Sequence, residues 1–324
     1  MRTMDDMLRA VRAFQESRVF LSALELDLFG AVGEGATAQE VAALTGTDAR
    51  AAGMLLNALV ALEALEKEDG RFRCTDASRA FAELRPGLLH TVRKWESWST
   101  LTACVKAGTA VRDRGRDEAG TEAFIGAMQA RAVRLAAGLV EAVGTAGVRR
   151  MLDVGGGPGA FAIAFARAEP GLRAEVLDLP EVVPITRRHI GEAGLQDRVT
   201  ARAGDLRADL LGEGYDLILV SAICHMLDET DNRDLFRRCA KALAPRGRLV
   251  IRDFVLEPDR TAPLEAALFA LNMLTATPHG NVYTEDEYRA WLQEAGFRQV
   301  TRRPDGEDLL IACMNVPCGI PGVL

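Results

Sequence analysis

The chain has 324 residues, enough to bury two separate cores, and its apolar share of 48% is that of an ordinary globular protein. A formal net charge of −7 without a clustered basic stripe argues against a nucleic-acid partner, because neutralising phosphates takes grouped Lys and Arg. The first residues carry Asp5 and Asp6 rather than an apolar core, and no run approaches about 18 uncharged apolar residues, so neither an export signal nor a membrane span is expected and the chain is expected in the cytoplasm. The six cysteines (Cys74, Cys104, Cys224, Cys239, Cys313, Cys318) form no C-x-x-C pair, which predicts reduced thiols rather than a disulfide frame or a zinc site.

Along the chain, Leu8 to Phe29 places Leu8, Val11, Phe14, Phe20, Leu24 and Leu28 at helical spacing. Thr37 and Glu40 then form a capping box for a second helix, and Asp48 to Leu62 reads as a third. Leu65 to Lys67, the turn at Asp69-Gly70, and Arg71 to Thr75 complete a small β wing. Winged helices often bind DNA, but the helix that would enter the groove offers Arg50 as its only basic side chain and is apolar almost all round, which predicts burial in a larger interface. Further helices are expected from Leu88 to Gly147, interrupted by the charged stretch Arg112 to Glu118.

From Met151 onward strands alternate with helices, the pattern of an α/β sheet: Met151 to Val154, Ala174 to Leu177, Val199 to Ala203, Tyr215 to Ile223 and Arg248 to Leu256. In MLDVGGGPGA, Met151 to Ala160, a buried strand breaks into a glycine turn that opens a helix from Phe161 to Ala168, so backbone N–H groups and the positive helix end face a bound ligand. Gly155, Gly157 and Ala160 also fit the dinucleotide fingerprint, so NAD stays possible on this motif alone. Asp178, ending the second strand, could accept bonds from two ribose hydroxyls and would serve either cofactor. Gly204 and Asp205, ending the third, place a carboxylate where it could bind an adenine amine, which favours S-adenosylmethionine. Phe297 to Arg303 and Asp308 to Met314, joined by Asp305-Gly306, read as a hairpin that adds one antiparallel strand to the sheet.

These pieces, with DLPEV at Asp178 to Val182, SAICHMLDE at Ser221 to Glu229, RLVIRDF at Arg248 to Phe254 and YTEDEYRAWLQEAGF at Tyr283 to Phe297, resemble in order and spacing the S-adenosylmethionine-dependent methyltransferases of the caffeate and acetylserotonin O-methyltransferase type, with their bacterial relatives from secondary metabolism. The resemblance implies a Rossmann-like class I methyltransferase sheet with a terminal antiparallel hairpin, preceded by a winged-helix unit through which the chain forms a homodimer. The implied divisions are a dimerisation domain over 1–100, a helical linker over 101–147 and a catalytic domain over 148–324. It also implies a cofactor site made of Asp153, Gly155, Gly157, Asp178, Leu179, Gly204, Asp205, Leu206 and Ser221.

His225 stands just past a strand's carboxyl end, where open α/β sheets place ligands. Position alone leaves a capping or core histidine equally possible, and the resemblance implies a general base that takes the proton of an acceptor hydroxyl. Asp253, ending the next strand, is implied to orient that base; otherwise it is a strand-end acid bonded to a loop or to Arg252. Two departures thin the support: Met226 stands where relatives often have Asp, and Val282 where many carry a second acid. The resemblance implies an acceptor pocket of Trp98, Met128, Phe269, Asn272, Met273 and His279, although Met and aromatic residues at helical spacing are also ordinary core. The sequence therefore predicts methyl transfer to a hydroxyl of a small, largely apolar metabolite, with no nucleic-acid or membrane partner. The alternatives are C-methylation of a keto acid or related acceptor with a metal at His225 and His279, an NAD-dependent dehydrogenase, and a small-molecule-responsive winged-helix regulator or non-catalytic binding protein.

Overall fold

A computed structural model describes residues 2–112, 118–305 and 307–314. Most of the charged stretch from Arg112 to Glu118 lies outside the described residues, as do Gly306 of the expected turn and Cys318. The chain divides into two compact units, Met1–Glu96 and Ser97–Leu324, so the helices after residue 100 belong with the second unit.

In the first unit the helical stretch from Leu8 to Phe29 is three helices rather than one: α1 (Met4–Arg12), α2 (Phe14–Glu25) and α3 (Leu28–Val32). Asp27, between the last two, has φ 54°, a left-handed conformation that no right-handed helix can continue. Next come β1 (Ala36–Thr37), α4 (Ala38–Thr45), α5 (Ala49–Ala61), β2 (Leu65–Glu68), β3 (Arg71–Cys74), α6 (Asp76–Glu83) and α7 (Arg85–Trp98). The Thr37–Glu40 capping box is closed in both directions, at 3.2 and 2.7 Å, and Asp48 caps α5 through the N–H of Ala51 at 2.8 Å. The three strands pair in the order β1-β3-β2, a wing whose Leu65 and Phe72 complete a core with Leu28, Phe29, Val41, Leu56 and Leu59. By contrast α1 buries nothing: Met4 and Val11 are each 73% exposed, with Met7 and Leu8 also exposed.

The second unit begins with α8 (Leu101–Ala107) and α9 (Glu118–Val143) and continues through β4 (Arg150–Val154), α10 (Ala160–Ala168), β5 (Arg173–Asp178), α11 (Val183–Glu192), β6 (Val199–Ala203), β7 (Tyr215–Ser221), α12 (Glu229–Ala242) and β8 (Leu243–Arg252). It closes with β9 (Val255–Leu256), α13 (Leu264–Ala276), β10 (Tyr283–Thr284), α14 (Glu285–Glu294), β11 (Gln299–Asp305) and β12 (Glu307–Cys313). Seven strands order as β11-β12-β8-β7-β4-β5-β6, all parallel except β12, which runs antiparallel to both neighbours. The expected hairpin therefore supplies the one reversed strand.

Successive residues of a strand point to opposite faces. Leu152 and Val154 enter a core with Phe236, Tyr288 and Trp291, while Met151 enters another with Phe161, Phe165 and the α9 residues Ala136, Leu139 and Val143. Burial on both faces is why the central strands read as continuous apolar runs. The open C-terminal end of α9 is satisfied by Arg248, whose guanidinium donates to the carbonyls of Val143 at 3.2 Å and Gly144 at 2.6 Å. Among the described residues no helix is long and apolar enough to cross a membrane. Cys74, Cys104, Cys224 and Cys239 are buried free thiols, whereas Cys313 is disulfide-bonded, contrary to the expectation that all six are reduced.

Candidate active site

The glycine loop follows β4. Gly155 donates its N–H to the carbonyl of Leu177 at 2.7 Å and takes φ +65°. A Cβ there would be strained by that φ and would collide with Cδ1 of Ile223, on the turn after β7. The loop thus presses against the segment that carries His225.

Asp178, half-buried at the end of β5, accepts the N–H of Gly157 on Oδ2 and that of Leu179 on Oδ1, both at 2.7 Å. Gly204 at the end of β6 bonds back to the carbonyl of Asp178 at 2.9 Å. Asp205 beside it is exposed, its carboxylate accepting the N–H of Arg207 at 2.8 Å, and Leu206 packs toward Gly155. Leu179 is 42% exposed, and Ser221 accepts a bond from Arg252 at 3.1 Å. Two acids on adjacent strand ends beside a glycine loop fit a ligand with a diol and a nitrogen base.

Asp153 differs from its expected role in direct cofactor contact. It is fully buried, and its carboxyl lies under Gly156, where a Cβ would come within 2.5 Å of Cγ. Burial, and secondarily the negative charge of Asp178, push this carboxyl up to about 7, with the backbone N–H of Ala162 opposing only in part. It supports the loop from beneath. Because the folded state binds this proton more tightly than the unfolded state, Asp153 costs no stability below about pH 4, and stability falls as pH rises toward 7. We therefore expect Asp153→Asn to stabilise the protein relative to wild type by an amount growing from near zero at pH 4 to an upper limit on the order of 4 kcal/mol at pH 8. Urea midpoints at both pH values check this, and a gap that does not change with pH would contradict it.

His225 lies in a single 3-10 turn, Cys224–Met226, between β7 and α12. It is 7% exposed, and its Nδ1 is 2.6 Å from Oδ1 of Asp253, which is 5% exposed and also accepts the backbone N–H of His225 on Oδ2 at 3.2 Å. An acid that accepts from both the ring and the backbone fixes the imidazole as the Nδ1–H tautomer and leaves Nε2 to take a proton. The ring meets Phe269 edge-on at 4.8 Å, and Phe269 stacks on Phe254 at 4.2 Å. On the same helix Asn272 and Met273 are buried, and the indole N–H of Trp98 donates to Oδ1 of Asn272 at 3.1 Å, which turns the amide's donor end away from the indole. Met128 is half-buried on α9.

Sequence reading overlooked Phe254 and Arg131. The first directly follows Asp253, and the second lies one turn past Met128 with its guanidinium 5.8 Å from the Phe254 ring. His279 is exposed, and among the described residues no three His, Cys, Asp or Glu side chains gather to hold a metal ion, so the alternative at His225 and His279 finds no ligand set there. Val282 is fully buried with Leu256 and Ala266, an apolar cluster where relatives' second acid was sought. A groove of about 690 Å³ among α9, α10 and α11, whose polar lining is Gln129, Arg167, His189 and Glu192, contains none of the candidate site residues.

Residues 101–298 match the O-methyltransferase domain and residues 8–83 the O-methyltransferase dimerisation domain. The chain is 35% identical over 302 residues to a 3-hydroxy-5-methyl-1-naphthoate 3-O-methyltransferase of Streptomyces sahachiroi, covering 88% of this chain and 87% of the relative. It is 32% identical over 322 residues to a tetracenomycin polyketide synthesis 8-O-methyl transferase of Streptomyces glaucescens, covering 94% and 95%. Its fold is similar to the crystal structure of human N-acetylserotonin methyltransferase in complex with S-adenosylmethionine, with TM-score 0.83, 25% identity, and 96% and 98% of the two chains covered.

Proposed function

The chain belongs to the O-methyltransferase family, whose cofactor is S-adenosylmethionine, and from that premise we propose that it methylates a hydroxyl group on a planar aromatic metabolite with His225 as general base. The observation that carries the reading is the buried His225–Asp253 pair, 2.6 Å apart and edge-on to Phe269. The chain's membership of this family sets NAD aside.

The residues at the loop fit this cofactor. Asp178 would hold its ribose hydroxyls and Asp205 its adenine amine, while the glycine loop, its Gly155 and Gly157 N–H groups already bonded to Leu177 and Asp178, would leave space for its amino-acid portion. When bound, the cofactor supplies a methyl group on a sulfonium. His225 Nε2 would accept the hydroxyl proton as the acceptor oxygen bonds the methyl carbon and the carbon–sulfur bond breaks, its electron pair leaving on sulfur as the neutral thioether S-adenosylhomocysteine, and Asp253 would stabilise the resulting imidazolium. Phe254, Phe269 and Met273 offer flat or polarizable apolar surface to a ring, and the relatives named for a naphthoate and an aromatic polyketide support that class of acceptor. The matched dimerisation domain and the bare apolar face of α1 support a homodimer through residues 1–100; light scattering at the 35.0 kDa mass of one chain would remove that part.

The direct experiment is a screen of hydroxylated one-, two- and four-ring arenes with methyl-labelled cofactor in chelator-treated buffer. Label on an aromatic oxygen is the expected result, and transfer only to carbon or nitrogen, or only with added metal, would overturn the assignment.

A further inference from the structure

The turn that presents His225 is held from a residue on the following helix. The chain leaves β7 through Ala222 at φ 57°, a conformation disfavoured for a residue with a Cβ, and enters α12 at its cap Asp228. Such a turn leaves inward-facing carbonyls with acceptor capacity to spare: that of Cys224 takes one backbone N–H, from Leu227 at 3.2 Å, and that of Asp228 one, from Asn232 at 3.0 Å. Three of them converge on Asn232, which is fully buried: its Nδ2 lies 3.0 Å from the carbonyl of Cys224, 3.4 Å from that of Leu227 and 2.9 Å from that of Asp228. Carbonyls only accept, so the amide's donor end must face them. Tyr283 adds a bond to the Leu227 carbonyl at 2.6 Å, and the N–H of Asn281 one to the carbonyl of His225 at 2.9 Å.

We infer that Asn232 is a positioning residue for His225: by tying Cys224, Leu227 and Asp228 to α12 it fixes the turn at the height where His225 meets both oxygens of Asp253. The role rests on the base assignment proposed above. Asparagine is a poor residue for a helix interior, and here its amide closes a turn instead of competing with the helix, since its own N–H still bonds the carbonyl of Asp228 at 3.0 Å. The His225–Asp253 contact of 2.6 Å leaves little room for a shift in the turn before the charge-assisted bond weakens.

The test follows the ring resonances of the four histidines by NMR in the full-length protein, with His225 identified by its loss in His225→Gln. In Asn232→Ala the Nδ1–H resonance of His225, hydrogen-bonded to Asp253, should move upfield or be lost to exchange with water while the ring resonances of His90, His189 and His279 stay as in wild type. Should that variant not fold, Asn232→Ser can still bond the Asp228 carbonyl within the helix but cannot span the turn, and it should show the same shift. A folded variant with an unmoved His225 Nδ1–H resonance, differing only in melting temperature, would overturn the positioning role. Kinetics on the hydroxyarene turned over in the screen separate this from the base assignment. Asn232→Ala should lower kcat about tenfold or more with cofactor affinity unchanged, and should cost less than about twofold in a His225→Gln background. An undiminished cost in that background sinks the positioning role alone, whereas His225→Gln at wild-type rate removes the base itself and the positioning role with it.

Discussion

Asp178→Ala is expected to weaken binding of S-adenosylhomocysteine roughly 10²- to 10⁴-fold while His225→Ala leaves it within about threefold. Two hydrogen bonds from ribose hydroxyls to a charged acceptor contribute on the order of 3 to 6 kcal/mol together. Asp178 has a second connection to the site, because its oxygens hold the N–H groups of Gly157 and Leu179, so its removal also releases the loop that faces the ligand. Leu179 is exposed, so water can replace its lost acceptor, whereas Gly157 is buried and its N–H would lose its partner, which adds to the expected loss. Calorimetry on both variants decides: equal losses would mean that Asp178 is no more a cofactor ligand than His225.

The features legible in the sequence were those set by local pattern. The glycine loop after a buried strand, acids at the ends of two succeeding strands, the Thr37–Glu40 capping box and the closing hairpin each follow from a few neighbouring residues, and each stands where the pattern put it. The remainder depends on how elements meet. Whether Asp153 rises into the site or sits beneath the loop is set by the pleat of β4 and the nearness of α10, and no spacing rule shows it. The break at Asp27 comes from a left-handed residue inside an otherwise helical pattern. Asn232 reads as an ordinary polar residue on an amphipathic helix, since its role exists only once Ala222 bends the chain and aims three carbonyls at it. Val282 was visible as a missing acid, but its place in an apolar cluster required the packing of α13 against the β9–β10 pair.

The missing second acid concentrates proton transfer on a single pair, which raises the expected cost of losing it. His225→Gln should keep the fold, because glutamine can still donate toward Asp253, but it has no group that accepts a proton near neutrality. Holding the acceptor beside the cofactor is worth more than the base, on the order of 7 to 11 kcal/mol against a base effect of roughly 10² to 10⁴ in rate, so the variant should be crippled and not dead. A phenol ionises near pH 10, so raising the pH supplies the nucleophile without a base and should recover part of the lost rate.

The decisive measurement is kcat of wild type and His225→Gln on the same phenolic acceptor from pH 6 to pH 10 in chelator-treated buffer. The account predicts a roughly 10²- to 10⁴-fold deficit at pH 7 that narrows steadily toward pH 10; a variant as fast as wild type at pH 7, or a deficit that stays constant across the range, would contradict it.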